Sequence, residues 1–347
     1  MYTCVKFTES MRREWDRFAL SQGTIFHTIA FRDILIKSFS YRCGYHAIID
    51  RQGRICALIP LVIGRNLYLK NAAVSLPFIN YLDLCVDDDE ALRFALTSIK
   101  SLKTKYQLDY VELRLKNQFI EDPEWVVQLQ NFTFILPLEQ DEQKVLSLSS
   151  SSNRNHTRKA YKNNWFTVSF DRKHLETFYT IYVRRMKELG SPAPDIRFLQ
   201  YIFDYLPEYA YLLTVLDRET ETVIGGMILI GSPGNSTLYY PYGANLVSYN
   251  GKYLNNYMYW EAVRFGIRNG LKFLDLGRSQ AGSGTFRYKE QWGAQSEQLK
   301  YFSYSGSPQT AGVPNRQSLG ILIKLWKGAP KSITDKAGRY LIKYVMP

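Results

Sequence analysis

Residues Tyr45–Gly64, YHAIIDRQGRICALIPLVIG, read as strand, turn and strand: β-branched and apolar residues flank the turn Asp50-Arg51-Gln52-Gly53. The form recurs in Ala210–Gly231, AYLLTVLDRETETVIGGMILIG, where the turn starts at Asp217-Arg218. Each hairpin is followed by a helical pattern and then a strand. In the first half these are DEALRFALTSIKSLKTKYQ and LDYVELRL, and in the second NNYMYWEAVRFGIRNG and LKFLDLG. Glu112 lies 62 positions beyond Asp50, and Asp275 lies 58 beyond Asp217. The halves therefore read as copies of one unit: hairpin, further strand, helix, strand. A helix joining strands in this way makes them parallel, so the expected class is α/β (α+β), with the helices near Leu92 and Trp260 equivalent.

The chain has 347 residues. At roughly 100–200 residues per domain that suggests two domains. The polar stretch LSLSSSSNRN, Leu146–Asn155, suits a linker or a helix start. The expected division is 1–146, 147–310 and a basic amphipathic tail, 311–347.

The composition, 46% hydrophobic and 22% charged, is that of a folded protein with a real core. The net charge of +12 favours a polyanionic partner such as RNA, a phosphorylated substrate or an anionic membrane, without choosing among them. Cys4, Cys43, Cys56 and Cys85 have no CxxC spacing, which argues against a zinc site or disulfide framework. The N-terminus carries acidic residues and no apolar run, unlike a signal peptide. No segment approaches the ~18 apolar residues of a membrane span. A cytoplasmic protein is expected, either free or peripheral at the inner face of the membrane.

Three further segments carry charge. In SNRNHTRKAYKNNW, residues 152–165, the cations Arg154, Arg158 and Lys159 suit phosphate contacts, or a solvated helix face. Asp87, Asp88 and Asp89 precede a helical pattern and read as a helix start. The tail ILIKLWKGAPKSITDKAGRYLIKYVMP sets six cations among apolar residues, which suits an anionic membrane surface or packing back on the protein. Tyr240 and Tyr242 alternate on a strand and are expected on one face, as sheet packing or as a wall of an acceptor cleft.

The stretch GRSQAGSGTFRYKEQWGAQ, Gly277–Gln295, has no apolar face through its first half and runs into Phe286, Tyr288, Lys289 and Trp292. With the preceding LYYPYGAN segment it resembles the second domain of the Fem-type transferases of the GNAT superfamily. It looks closest to the branch found beside exopolysaccharide and exosortase gene clusters. FHTIAFRDILIKSF, ALIPLVIG and SLPFINY match the first domain, and VRRMKELGSP matches the segment entering the second. The ordered set Gly277, Arg278, Ser279, Gly282, Gly284, Phe286, Tyr288, Lys289, Trp292 and Gly293 is its strongest element.

The resemblance implies two tandem GNAT-like domains, each a mixed sheet flanked by helices, and acyl transfer. It makes Tyr288 and Lys289 the catalytic pair, with the lysine at the reacting carbonyl. Arg278, Ser279, Gly282, Gly284, Tyr240, Tyr242, Asn80 and Tyr81 become candidate substrate-binding residues. A cation beside a tetrahedral oxyanion lowers the barrier to amine attack on an ester. In an open cleft such a lysine is expected to matter little for stability.

The chain departs from GNAT enzymes that hold coenzyme A. The two glycines of their pyrophosphate loop fall here on Tyr253 and Asn255. In the first domain Tyr81 is followed by Leu82 and Asp83, where relatives of this branch often carry Tyr-Gly-Gly. The expected partners are aminoacyl-tRNA and a small-molecule or glycan-precursor acceptor, with no cofactor. An acyl-CoA-dependent N- or O-acyltransferase of exopolysaccharide synthesis is the alternative, and a catalytically silent glycan- or membrane-binding scaffold a third. His27, His46, His156 and His174 show no metal-ligand spacing.

Overall fold

A computed structural model describes residues 2–306 and 320–346. The first half runs β1 (Thr3–Lys6), α1 (Arg12–Gln22), α2 (Ile29–Phe39), β2 (Arg42–Ile49), β3 (Ile55–Arg65) and β4 (Asn71–Val74). It continues with β5 (Cys85–Val86), α3 (Asp89–Lys105), β6 (Tyr110–Leu115) and β7 (Trp125–Pro137). The second half begins with α4 (Glu142–Leu148), α5 (Ser151–Lys162), β8 (Phe166–Ser169), α6 (Leu175–Leu189), α7 (Ile196–Tyr205), β9 (Ala210–Asp217) and β10 (Val223–Ser232). There follow β11 (Thr237–Asn245), α8 (Leu254–Arg268), β12 (Phe273–Asp275), β13 (Ser279–Gln280), α9 (Gly284–Glu290) and β14 (Gln295–Tyr304). The helices α10 (Gly320–Gly328) and α11 (Lys331–Val345) end the chain. The division expected between 310 and 311 lies outside the described residues.

The repeat is real in three dimensions. β2 and β3 form an antiparallel hairpin, as do β9 and β10. In both turns an aspartate closes the loop with its side chain: Asp50 accepts from the Gln52 and Arg54 N–H groups, and Asp217 from those of Glu219 and Thr220. β4 pairs parallel with β6 across α3, and β11 parallel with β12 across α8. The helices near Leu92 and Trp260 are thus equivalent. So are two buried acids: Glu112 is the last β6 residue paired with β4, and Asp275 the last β12 residue paired with β11. α3 starts as expected, with the Asp88 carboxylate accepting from the Ala91 N–H at 2.7 Å. The Ser-rich stretch is also a helix start, capped by Ser150.

All strands belong to one sheet in the order β1-β2-β3-β4-β6-β14-β7-β12-β11-β10-β9-β8, with β5 and β13 on side pairings. The halves exchange strands at the middle. β7, from the first half, pairs with β12, and β14, from the second, pairs with β6. β7 and β14 also pair with each other, so the sheet runs unbroken between the halves.

Both faces of the sheet are covered, which explains the nearly continuous apolar runs of β3 and β10. Leu58, Val62, Leu212 and Ile228 face one shared core with Phe31, Leu35, Phe178 and Phe198 of α2, α6 and α7. On the other face, Ile59 and Leu61 pack with Ala95 and Ile99 of α3, and Leu213 and Leu229 pack with Met258 and Val263 of α8.

Candidate active site

The Gly-rich stretch leaves the sheet at the end of β12. Gly277 has φ +77°, a left-handed conformation that glycine adopts without strain. Its N–H donates to Asp275 Oδ1 at 2.7 Å. A methyl group there would stand 3.3 Å from Asn80 Nδ2. Ser279 and Gln280 pair with Phe132 and Asn131 of β7, and Ser283 caps α9 by accepting from the Phe286 N–H. Phe286 sets its ring edge-on against Phe132 and Phe134. That contact fixes the rotation of α9 and turns Lys289 inward.

Lys289 is only 7% exposed. Its Nζ donates to the carbonyls of Gly277 at 2.9 Å and Arg278 at 3.0 Å. The expected open-cleft lysine is therefore a buried, pinned cation, and its removal must cost stability. Burial pulls its pKa down to about 8; Asp275 opposes that shift and Arg278 adds to it. Asp275, 2% exposed, accepts from Tyr81 Oη at 2.6 Å and Thr133 Oγ1 at 2.7 Å besides Gly277 N–H. Burial raises its carboxyl pKa, while those three donors and the charge of Lys289 pull it back.

The first half builds the other wall. The segment between β4 and β5 crosses to the second half. Tyr81 reaches Asp275, the Asn80 carbonyl accepts from Tyr301 Oη at 2.6 Å, and the Phe78 carbonyl accepts from Tyr242 Oη at 3.0 Å. Arg278 donates to Tyr301 Oη at 2.9 Å. Asn80, Tyr81, Tyr239, Tyr240, Asp275 and Gly277 line a small recess. It adjoins a cleft of about 460 Å³ that shares Tyr81 and Tyr239 and extends past Asp83, Lys116 and Glu297.

The structure thus brings together Lys289, Arg278, Asn80, Tyr81 and Tyr240. Gly282 and Gly284 lie outside this cluster, on the exposed start of α9, where an added Cβ would meet no atom within 4 Å. Ser279 is buried and its Oγ has no hydrogen-bond partner among the described residues. Tyr288 points to the α8 face, edge-on to Tyr259.

Tyr240 and Tyr242 do not share a face. The β10–β11 register shifts between Ile228↔Tyr242 and Ile230↔Tyr239, and this bulge breaks the period-2 alternation. Tyr240 packs on Tyr259 of α8, whereas Tyr242 lies in the opposite core with Tyr182 and Phe198.

α5 starts beside the end of α9, where the Ser150 N–H donates to the Gln291 carbonyl at 2.8 Å. Arg158 and Lys159 are exposed on it. Arg154 is not free: its guanidinium is held by the Ser147 and Ser149 carbonyls at the α4–α5 joint. Tyr253, at the start of α8, keeps the left-handed backbone that glycine would favour, φ +62°. The His156 ring stacks on it at 4.4 Å, so side chains cover this helix start.

Sequence reasoning passed over Asp275, Thr133 and Tyr301. Asp275 had one signal, its equivalence to Glu112 in the repeat. Thr133 and Tyr301 had none, because they sit on the exchanged strands.

No protein-family model and no curated protein matches the sequence. Solved structures do. FemX superposes with a TM-score of 0.66 at 16% identity, over 92% of this chain and 100% of FemX. The C-terminal domain of a lysylphosphatidylglycerol synthetase from Agrobacterium fabrum gives 0.59 at 9% identity, over 93% and 98%. A tandem GNAT protein from the clavulanic acid biosynthesis pathway gives 0.57 at 9%, over 89% and 99%. With its repeated α/β unit and shared sheet, the chain has the tandem GNAT-like, Fem-type fold.

Proposed function

We propose that the protein is an acyltransferase that moves an amino acid from aminoacyl-tRNA to an amine or hydroxyl of a cell-envelope or small-molecule precursor. The observation that carries this reading is Lys289: a buried ammonium, fixed by two carbonyls, behind the small recess that Asp275 and Gly277 line together with Asn80 and Tyr81 of the first half. An ammonium has three N–H donors, so one remains for a third acceptor. In the reaction the acceptor nitrogen or oxygen attacks the ester carbonyl carbon. The new bond forms, and the carbonyl electron pair becomes an oxyanion facing Lys289. Collapse breaks the bond to the ribose oxygen, which leaves with the proton given up by the acceptor.

Two similarities support the reading. The Agrobacterium neighbour is a domain of a protein assigned as a lysylphosphatidylglycerol synthetase. Part of the Fem-type motif, Gly277, Arg278 and Lys289, also converges, and Tyr81 and Asn80 of the first half bond to its neighbours Asp275 and Tyr301. In this reading Arg158 and Lys159 meet tRNA phosphates, and the substrates place the enzyme in the cytoplasm. The acyl-CoA reading, with an exopolysaccharide intermediate as acceptor, is disfavoured by the His156–Tyr253 stack. It covers the helix N-terminus that would hold a pyrophosphate.

The test is transfer of label. The protein is mixed with total tRNA charged with radiolabelled amino acids and with a cell extract depleted of RNA, and label is followed into RNase-resistant product. Wild type moves label and Lys289→Ala does not. Stoichiometric binding of acetyl-CoA with no response to charged tRNA would overturn the donor. Equal transfer by Lys289→Ala would overturn the site.

A further inference from the structure

The tail helices pack against the protein along one side only. α10 lies on Gly190, where an added Cβ would meet Ile323 at 2.5 Å, and α11 lies with Gly338 against the Ala193 backbone. Thr334, Gly338 and Ile342 form the buried stripe of α11. Its end is fastened twice: Tyr41 Oη donates to the Lys343 carbonyl at 2.6 Å, and Arg114 donates to the Met346 carbonyl at 2.7 Å. The tail is a docked part of the fold.

The outward side is apolar where a docked helix ordinarily turns polar residues to water. Leu322 and Leu325 on α10 are 56% and 65% exposed, and Ile333 and Tyr340 on α11 are 55% and 61% exposed. Ile333, Ala337, Tyr340 and Tyr344 recur at i, i+4, i+7 and i+11, a single stripe along α11. Lys336 and Lys343 project beside that stripe, and Lys343 and Arg339 lie over the rings of Tyr344 and Tyr340 at 5.1 and 5.0 Å. Residues 320–346 hold six cations, at Lys324, Lys327, Lys331, Lys336, Arg339 and Lys343, against one acid, Asp335.

We infer that this face is a membrane foot: α10 and α11 lie flat on an anionic lipid surface. Leu322, Leu325, Ile333 and Tyr340 enter the headgroup–acyl boundary, and the lysines keep their charged ends among the lipid phosphates. The excess of positive charge selects lipid over a second copy of this chain, whose own foot would repel it. No helix among the described residues is long and apolar enough to cross a membrane, so the contact is interfacial. The foot also reaches the site. Arg114, which holds the Met346 carbonyl, stacks over Tyr301, and Tyr301 accepts from Arg278. The inference needs no particular acyl donor.

The test is co-sedimentation of the full chain with vesicles of phosphatidylglycerol and phosphatidylethanolamine, against vesicles of phosphatidylcholine alone. Wild type binds the first and not the second, and binding falls with salt. Lys324→Gln and Lys336→Gln each weaken binding about fivefold. Leu325→Glu with Ile333→Glu abolishes it while leaving the melting temperature in place, because both side chains are exposed. No vesicle binding by wild type, or equal binding by the double glutamate variant, overturns the inference. So does a wild-type dimer that the same variant splits without any vesicle binding, since the face would then be a protein contact.

Discussion

Replacing Lys289 by alanine tests the chemistry and the burial together. Loss of one oxyanion donor typically lowers turnover by about 10²–10³-fold, so kcat and kcat/KM should fall together by that factor. Stability should change too. Two charge-assisted hydrogen bonds to carbonyls are lost, at about 1.5–3 kcal/mol each. Against this, the variant no longer buries an ammonium, whose pKa of about 8 against 10.5 corresponds to roughly 3 kcal/mol. The net expectation near neutral pH is a loss of up to about 3 kcal/mol, read by urea titration. The pH dependence fixes the sign. The native pKa lies below the unfolded one, so between about pH 8 and 10.5 the unfolded chain binds the extra proton and wild-type stability rises with pH. Lys289→Ala lacks that rise, and its deficit against wild type widens across the window. Activity should run the other way. If the ammonium stabilises the oxyanion, wild-type kcat/KM falls as pH climbs through about 8. The label-transfer assay, run at saturating acceptor over this range, separates the cases. A rise through the same pH would make Lys289 a base, and near wild-type turnover in Lys289→Ala would reduce the Gly-rich loop to a turn.

Asp275→Ala strands Tyr81, Thr133 and the Gly277 N–H and leaves Lys289 without its nearby carboxylate; a loss of about 3–5 kcal/mol in urea unfolding is expected, with Asp275→Asn much milder. Gly277→Ala forces a side chain into a left-handed residue and towards Asn80. It should cost about 1–2 kcal/mol and lower activity beyond what the lost stability explains. Arg158→Glu with Lys159→Glu should weaken tRNA binding whatever the tRNA sequence and flatten its salt dependence in filter binding, with thermal stability unchanged. Arg154→Glu, by contrast, should lower the melting temperature, because its guanidinium holds the α4–α5 joint.

The repeated unit can be read from the amino-acid order. Hairpin turns built on Asp50 and Asp217, the acidic start of α3 and the apolar runs of β3 and β10 are local chemistry. Alternation, capping and turn residues act over a few positions, so the chain displays them directly. The loop carrying Arg278 and Lys289 was legible for the same reason: its residues are neighbours in the chain. The rest follows from long-range pairing and packing. No local pattern announces that β7 and β14 cross between halves, because strand exchange is settled by pairing partners far away in sequence. That exchange brings Thr133 and Tyr301 to the site. The bulge that sends Tyr240 and Tyr242 to opposite faces depends on the register against β10, so alternation alone gave the wrong face. Burial is likewise a property of the assembled core. Lys289 looks like any basic residue in the sequence, and it becomes a pinned cation of lowered pKa only when Phe286 packs on β7 and Tyr81 arrives from the first half to meet Asp275.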